Sequence, residues 1–321
     1  MKKLYKDIRF TKGILTLTAG LLIAGCSAED ELGNNSSAQQ LNMIPMVNDL
    51  QKSRANDEDA LHEKTLSKLD FKMFEPEFGK CCVNHQSSSP AENQAEVLGK
   101  NNWKVDLNLQ EDHSYNYYAV ANAQADLSKK TLEELQAATQ QDNDIWQPYP
   151  QAKDKKFLMS AKGQYIISKD PIQDIPVELV RAAAKIKLNL SSSVNGYNIT
   201  NVKWKFLNYN TNTSVFAGQT AKPNIESNNE DNTVDKIEAN KCSVTTYSYS
   251  TTWTSQEDAP KIAVKVVFES KDNKNDTREK ELTIPVRDPK GEKKLERNYI
   301  YTVNADIKRL KDDINRSEEH T

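Results

Sequence analysis

The chain reads as all-β, built from β-sandwiches in tandem with one short helix in the first of them. Three observations predict this. Apolar and polar residues alternate at period two in short runs, as in Trp103, Val105, Leu107 and Leu109, and again in Tyr115, Tyr117, Ala119 and Ala121. Polar turns separate the runs. The 321 residues, less a leader, fit two domains of roughly 100 to 150 residues each.

The leader comes first. Met1 to Lys12 carries Lys2, Lys3, Lys6, Arg9 and Lys12, and Gly13 to Gly25 is almost uncharged and mostly apolar, the two regions of a secretory signal. The apolar run is shorter than the roughly 20 residues a membrane-spanning helix needs, so residues 1–25 read as a signal peptide and not an anchor. It ends Leu22-Ile23-Ala24-Gly25-Cys26, the lipobox pattern of an aliphatic residue, two small or aliphatic residues and a cysteine. Cys26 is therefore the expected lipidation site, and the acyl chains attached at such a cysteine hold a protein durably on a membrane. Ser27-Ala28-Glu29-Asp30-Glu31 and the polar stretch to Gln40 follow as a tether of low hydrophobicity.

Leu41-Asn42-Met43-Ile44-Pro45-Met46-Val47 is the first apolar segment beyond the tether, and Pro45 restricts it to an edge strand or a strand with a break. Arg54 follows in a polar loop with Ala55 and an acidic run to Asp59, the setting in which a protease cuts. From Thr65 the strands begin: Leu66 to Phe74, Trp103 to Leu109 and Tyr115 to Ala121. Thr131-Leu132-Glu133-Glu134 reads as a capping box opening a short helix that ends near Gln140 to Asn143. Phe157 to Met159 and Tyr165 to Ile167 are further β runs.

The proline-bounded segment from Pro171 to Pro176 reads as a linker, and Val177 opens a second β pattern that continues through Ile186, Leu188, Leu190, Val202, Trp204 and Phe206. Asn208 to Asn240 has few apolar residues and reads as a solvated loop or a set of turns. Val244 to Tyr249, Ile262 to Phe268, Leu282 to Val286 and Tyr299 to Val303 complete the strands.

Composition narrows the function classes. The formal net charge is −3, and Lys and Arg are interspersed with Asp and Glu, so no basic face offers itself to nucleic acid. Besides Cys26 there are only Cys81, Cys82 and Cys242, too few for a disulfide framework. Adjacent cysteines place both sulfurs on one tetrahedral ion with difficulty, so Cys81 and Cys82 read as a reduced pair, or one of them as a partner of Cys242, and not as a metal site. His62, His85 and His113 stand apart, and no nucleophile elbow, phosphate loop or EF-hand spacing appears, so neither an enzyme nor a cofactor is expected.

Three segments, in order, resemble the fimbrillin family of Bacteroidales. Leu41 to Arg54 is similar to that family's removable first strand, which ends at an arginine. Val177-Glu178-Leu179-Val180-Arg181-Ala182-Ala183-Ala184-Lys185-Ile186 is similar to its Arg-x-x-Ala-Lys strand at the domain junction, and Leu295 to Val303 is similar to its Arg-Asn-x-x-Tyr strand. With the lipobox these span nearly the whole chain.

The resemblance implies two transthyretin-like β-sandwiches and a pilus subunit of the cell surface. Such a subunit is exported as an outer-membrane lipoprotein through acylated Cys26, cut by an arginine-specific protease between Arg54 and Ala55, and polymerised with other fimbrial subunits by donor-strand exchange in the service of adhesion. The divisions it implies are a signal at 1–25, a lipidated propeptide at 26–54, an N-terminal sandwich at 55–176 and a C-terminal sandwich at 177–315. The family continues through further carboxy-terminal donor strands. Here Arg316-Ser317-Glu318-Glu319-His320-Thr321 matches one reading frame of a common sequencing adapter, so 316–321 is expected to be a non-native tail on a truncated end.

Two alternatives stand beside this reading. An uncut, lipid-anchored anchor or tip subunit would keep Cys26 as its mature amino terminus. A surface glycan-binding lipoprotein would expose aromatic clusters such as Trp146 with Tyr149, or Tyr247 with Tyr249 and Trp253, although packing within sandwiches is the commoner use of aromatics at strand spacing.

Overall fold

The structure, a computed structural model, describes residues 40–48, 51–52, 61–88, 102–104, 109–147, 156–170, 172–288 and 290–310. Cys26, Arg54, Ala55, Tyr149, residues 105–108 of the alternating run and the tail 316–321 lie outside the described residues. Strand accounts for 53% of the chain and helix for 3%, so the protein is all-β, as the period-two alternation predicts.

The first half runs β1 (Gln40–Val47), β2 (Gln51–Lys52), a 3-10 turn (Leu61–Lys64), β3 (Lys68–Phe74), β4 (Cys81–Ser88), β5 (Asn102–Lys104), β6 (Ser114–Ala121), α1 (Leu132–Gln136), β7 (Thr139–Gln141), β8 (Met159–Ile166) and β9 (Ile172–Arg181). Seven of these strands pair in the order β4-β3-β6-β8-β9-β1-β5. β8 and β9 share only the pairs Met159↔Arg181 and Ser160↔Val180, so they part towards their connecting loop. The ladder thus divides into a wall of β4-β3-β6-β8 and a wall of β9-β1-β5. Leu69, Phe71, Met73 and Tyr115 on one wall and Met43, Ile175, Val177 and Leu179 on the other belong to one buried apolar cluster.

Gly163 on β8 lies opposite Tyr117 on β6, and a Cβ there would stand 2.8 Å from the tyrosine ring, so the ring lies over the space that a side chain at 163 would take. Thr131 and Glu134 make the reciprocal capping box: the Glu134 amide donates to Thr131 Oγ1 (3.3 Å) and the Thr131 amide to Glu134 Oε2 (3.0 Å).

The second half continues β10 (Ala183–Ser192), β11 (Tyr197–Leu207), β12 (Tyr209–Asn210), β13 (Asn212–Ser214), β14 (Ile225–Glu226), β15 (Asn232–Thr233), β16 (Lys241–Tyr249), β17 (Thr251–Thr252), β18 (Lys261–Ser270), β19 (Thr277–Pro285), β20 (Lys294–Leu295) and β21 (Tyr299–Ile307). Two four-stranded sheets, β16-β10-β21-β2 and β15-β11-β18-β19, carry most of it. Alternate residues of each are buried: Ile186, Leu188 and Leu190 on β10, Val202, Trp204 and Phe206 on β11, and Ile262, Val264, Val266 and Phe268 on β18. β19 is an outer strand whose Arg278, Glu279, Lys280 and Glu281 place charge along the exposed edge, which discourages edge-to-edge pairing.

Three expectations are corrected. Ile172 to Pro176 is not a linker but the first half of β9, paired in parallel with Gln40 to Ile44; Pro176 is exposed while Ile175 and Val177 on either side are fully buried. The chain passes from one ladder to the next at Ala182. Asn208 to Asn240 is not simply a solvated loop. Asn210, Thr211, Thr213 and Asn228 are buried, and the Asn210 side chain accepts from the amides of Asn212 (3.1 Å) and Asn224 (2.9 Å), so side-chain hydrogen bonds replace a regular ladder. The helix ends at Gln136, because Thr139 to Gln141 pairs as β7 with β13.

Candidate functional site

β1 is the candidate functional element, and its sequence explains its place. It runs parallel to β9 over eight pairs, from Gln40↔Ile172 to Val47↔Leu179. Its Met43 is 1% exposed and lies in register with Ile175, while Val177 and Leu179 beside Pro45 and Val47 are fully buried. On the opposite face Ile44 and Met46 are 41% and 42% exposed. β5 pairs only with Gln40 to Asn42. From Met43 onward, therefore, β1 has no second neighbour among the described residues, and Pro45 sits where a missing amide is tolerated.

Among the described residues, β1 alone stands between β9 and β5. Taking it away would leave β9, among those residues, with the two β8 pairs and uncover Ile175, Val177 and Leu179. Beyond Asn48 the same segment crosses to the second half of the molecule, where β2 pairs in parallel with Tyr299 and Ile300 of β21. One stretch of chain, 40–52, thus edges two sheets.

A buried polar junction lies where the sheets meet. Arg181, 2% exposed, donates from Nε to the Glu63 carbonyl (2.5 Å) and from Nη1 to the Asn48 carbonyl (3.0 Å) and to Asn298 Oδ1 (2.9 Å). Glu63, fully buried in the 3-10 turn, pairs with Lys185 Nζ at 2.9 Å and accepts from the Tyr247 hydroxyl at 2.6 Å. Asn298 adopts a left-handed backbone (φ 62°), and its amide donates to the Ala183 carbonyl at 2.9 Å. The Tyr301 hydroxyl accepts from the Glu296 amide (2.8 Å) and closes the turn before β21; burial pushes its pKa up to about 12. Arg297 reaches the Val215 carbonyl (3.2 Å), and burial pulls its pKa down to about 10, which still leaves it charged at neutral pH.

The three segments singled out in the sequence therefore converge. β1 and Asn48 belong to the first, Arg181 and Lys185 to the second, and Asn298 and Tyr301 to the third. Sequence reading missed Glu63, a single acid in a polar stretch whose partners lie more than a hundred residues away; no local pattern marks it. Arg54 and Ala55 lie in 53–60, between Lys52, which is paired with Ile300, and Glu63, whose partner Lys185 is also paired with Ile300.

The other candidates resolve differently. Cys81, Cys82 and Cys242 are free thiols; Cys242 is buried on β16, and burial pushes its pKa up to about 11. Tyr247, Tyr249 and Trp253 are buried, the Tyr247 ring packing at a tilt against Phe157 with centroids 4.7 Å apart, and Trp146 packs edge-on against Trp204 at 6.2 Å, so these rings serve packing and form no exposed platform. Among the described residues no group of three or more His, Cys, Asp or Glu side chains is placed to hold a metal ion.

No protein-family profile matches the sequence, and no characterised protein matches it at the sequence level. Solved structures do match. A candidate cell adhesion protein from Parabacteroides distasonis superposes with a TM-score of 0.59 at 17% identity, over 84% of this chain and 89% of that one. A fimbrilin from Porphyromonas gingivalis superposes with a TM-score of 0.55 at 14% identity, over 85% and 91%. The carboxy-terminally truncated tip fimbrial protein Mfa3 from the same species gives 0.51 at 15%, over 86% and 96%. At such identities the likeness is one of architecture, and the chain shares the fold of these fimbrial and candidate adhesion proteins.

Proposed function

We propose that the chain is the precursor of a fimbrial subunit of the fimbrillin type. It is exported as a lipoprotein through Cys26, cut after Arg54, and assembled with other subunits at the cell surface when a strand from a neighbour takes the place of β1. The mature subunit starts at Ala55 and comprises two sandwiches meeting near residue 177, and it contributes to adhesion as part of a pilus.

One observation carries the reading: a single apolar strand, followed in 53–60 by an arginine, covers the β9 face, and no other described strand pairs with β9 along that side. Main-chain pairing of an added strand supplies affinity, and pockets for alternate side chains supply specificity. While β1 fills its own cleft, the precursor has no open acceptor and stays monomeric. An exposed, unpaired β9 edge is the feature that soluble proteins normally avoid because it invites association.

The test is digestion of the non-acylated precursor with an arginine-specific protease, followed by amino-terminal determination and a measurement of oligomeric state. The expected product begins at Ala55 and, once the 40–54 fragment is removed, binds a strand peptide. Resistance at Arg54 would point instead to an anchor subunit whose mature terminus is Cys26.

A further inference from the structure

We propose that the place of β1 selects its strand through one anchor, a large apolar side chain at the position of Met43. The proposal rests on the reading that this strand is exchanged, and it names the class of segment that can be exchanged: an extended stretch whose inward face carries one such residue.

The β9 face that β1 covers is short. Gln173, Ile175, Val177, Leu179 and Arg181, every second residue of β9, are buried. The two end residues are polar and are held by bonds outside β1. Gln173 Oε1 accepts from the amide (3.0 Å) and the hydroxyl (3.1 Å) of Ser168, and its Nε2 donates to the Ser168 carbonyl (3.1 Å). Arg181 is held by the Glu63 carbonyl and Asn298. The apolar part is therefore Ile175, Val177 and Leu179, in register with Met43, Pro45 and Val47. An incoming strand has three apolar places to fill.

The three places are unequal. Met43 is buried, whereas Pro45 and Val47 are half-buried. Shortening an enclosed methionine loses its transfer free energy and leaves a cavity; shortening a half-buried side chain lets water in and costs less. Methionine is unbranched and flexible, so leucine, of similar volume, is accepted in its place. Ile44 and Met46 lie on the exposed face. The remaining contacts are main-chain: the ladder to β9 and the Arg181 bond to the Asn48 carbonyl. Any sequence can make them, so they supply affinity without choice.

The test is a series of synthetic Gln40–Lys52 peptides that all carry Ile44→Thr and Met46→Thr, so that a slipped strand has no second apolar face to offer. On this background Met43→Ala, Met43→Leu, Pro45→Ala and Val47→Ala are compared for binding to the cut chain, freed of the severed fragment. The cut is made at Arg54 or, where the protease leaves that bond intact, at an unrelated protease site placed within 53–60. The same substitutions are made in the uncut full chain, where hydrogen exchange of the β9 amides reads how firmly β1 is held.

Met43→Ala should weaken peptide binding about thirtyfold or more, and should speed β9 exchange in the uncut chain by a similar factor. Met43→Leu, Pro45→Ala and Val47→Ala should each stay within about fivefold of the background sequence, and the background within about fivefold of the original. Equal losses at 43, 45 and 47, or a Met43→Ala loss under about fivefold, would overturn the single anchor. So would a loss above about tenfold on the threonine background, since the outer face would then share in the choice. If the uncut chain shows the expected order of effects but the cut chain binds neither the original nor the background peptide, the strand-exchange reading itself is overturned, and the selection of incoming strands with it.

Discussion

Replacing Lys185 with methionine should lower the unfolding free energy of the uncut chain by about 3–5 kcal/mol, read as a fall in the denaturant midpoint at unchanged slope. Lys185 is 6% exposed, its ammonium lies 2.9 Å from the Glu63 carboxylate, and methionine keeps the length and apolar character of its stem. What the substitution removes is the Lys185 countercharge of a fully buried carboxylate, which also accepts from the Tyr247 hydroxyl. A buried ion pair is itself a poor source of net stability, since desolvation of both groups offsets their attraction; breaking it from one side is what costs. The double replacement Glu63→Gln with Lys185→Met, which removes both charges, should therefore recover most of the loss and sit within about 1–2 kcal/mol of the original protein. A double variant as unstable as the single one would show that the junction is held by packing and not by this pair.

The second large effect is expected inside β1. Met43→Glu places a carboxylate at a position that is 1% exposed and in register with Ile175, with no cation described beside it. The strand loses about 2–3 kcal/mol of apolar burial and carries the desolvation of a charge as well. β1 should then leave the cleft while the rest of the fold survives. The uncut variant would resemble the cut subunit: cleavage at Arg54 would be faster, and added strand peptide would bind without prior digestion. One residue along, Ile44→Glu substitutes a side chain that is 41% exposed on the outer face, and it should stay within about 0.5–1 kcal/mol of the original with β1 in place. Equal effects at the two neighbouring positions would mean that β1 is not packed with its odd residues inward.

Much of the architecture was legible because half-buried strands write their burial as alternation. Ile262, Val264, Val266 and Phe268 are buried with less buried residues between them, and the capping box at Thr131 forms as its residue types require. β1 was legible as an apolar strand, and Pro45 rightly signalled an incompletely covered one. The misreadings share a cause. Pro176 looked like a linker residue, but an outward position on β9 accepts proline where a ladder amide is not demanded. The Asn-rich stretch after Leu207 looked solvated because polarity was taken for exposure, whereas its amides are buried in bonds to the backbone. Pairing order was not legible at all: the parallel ladders β1–β9 and β10–β21 join residues more than a hundred positions apart, and nothing local encodes which edge meets which. The same distance hides Glu63, which meets Arg181, Lys185 and Tyr247 only in the fold.

The central claim is that β1 is a removable cover on β9, and hydrogen exchange along β9 before and after cleavage at Arg54 tests it most directly. In the intact chain the β9 amides that bond to β1 should exchange slowly. After the cut and removal of the 40–54 fragment they should lose protection on the order of a hundredfold, and regain it when a strand peptide is added, while β18 and β11 remain unchanged. Protection of β9 that persists after the fragment has gone would mean that another element closes the cleft, and the strand-exchange account would be wrong.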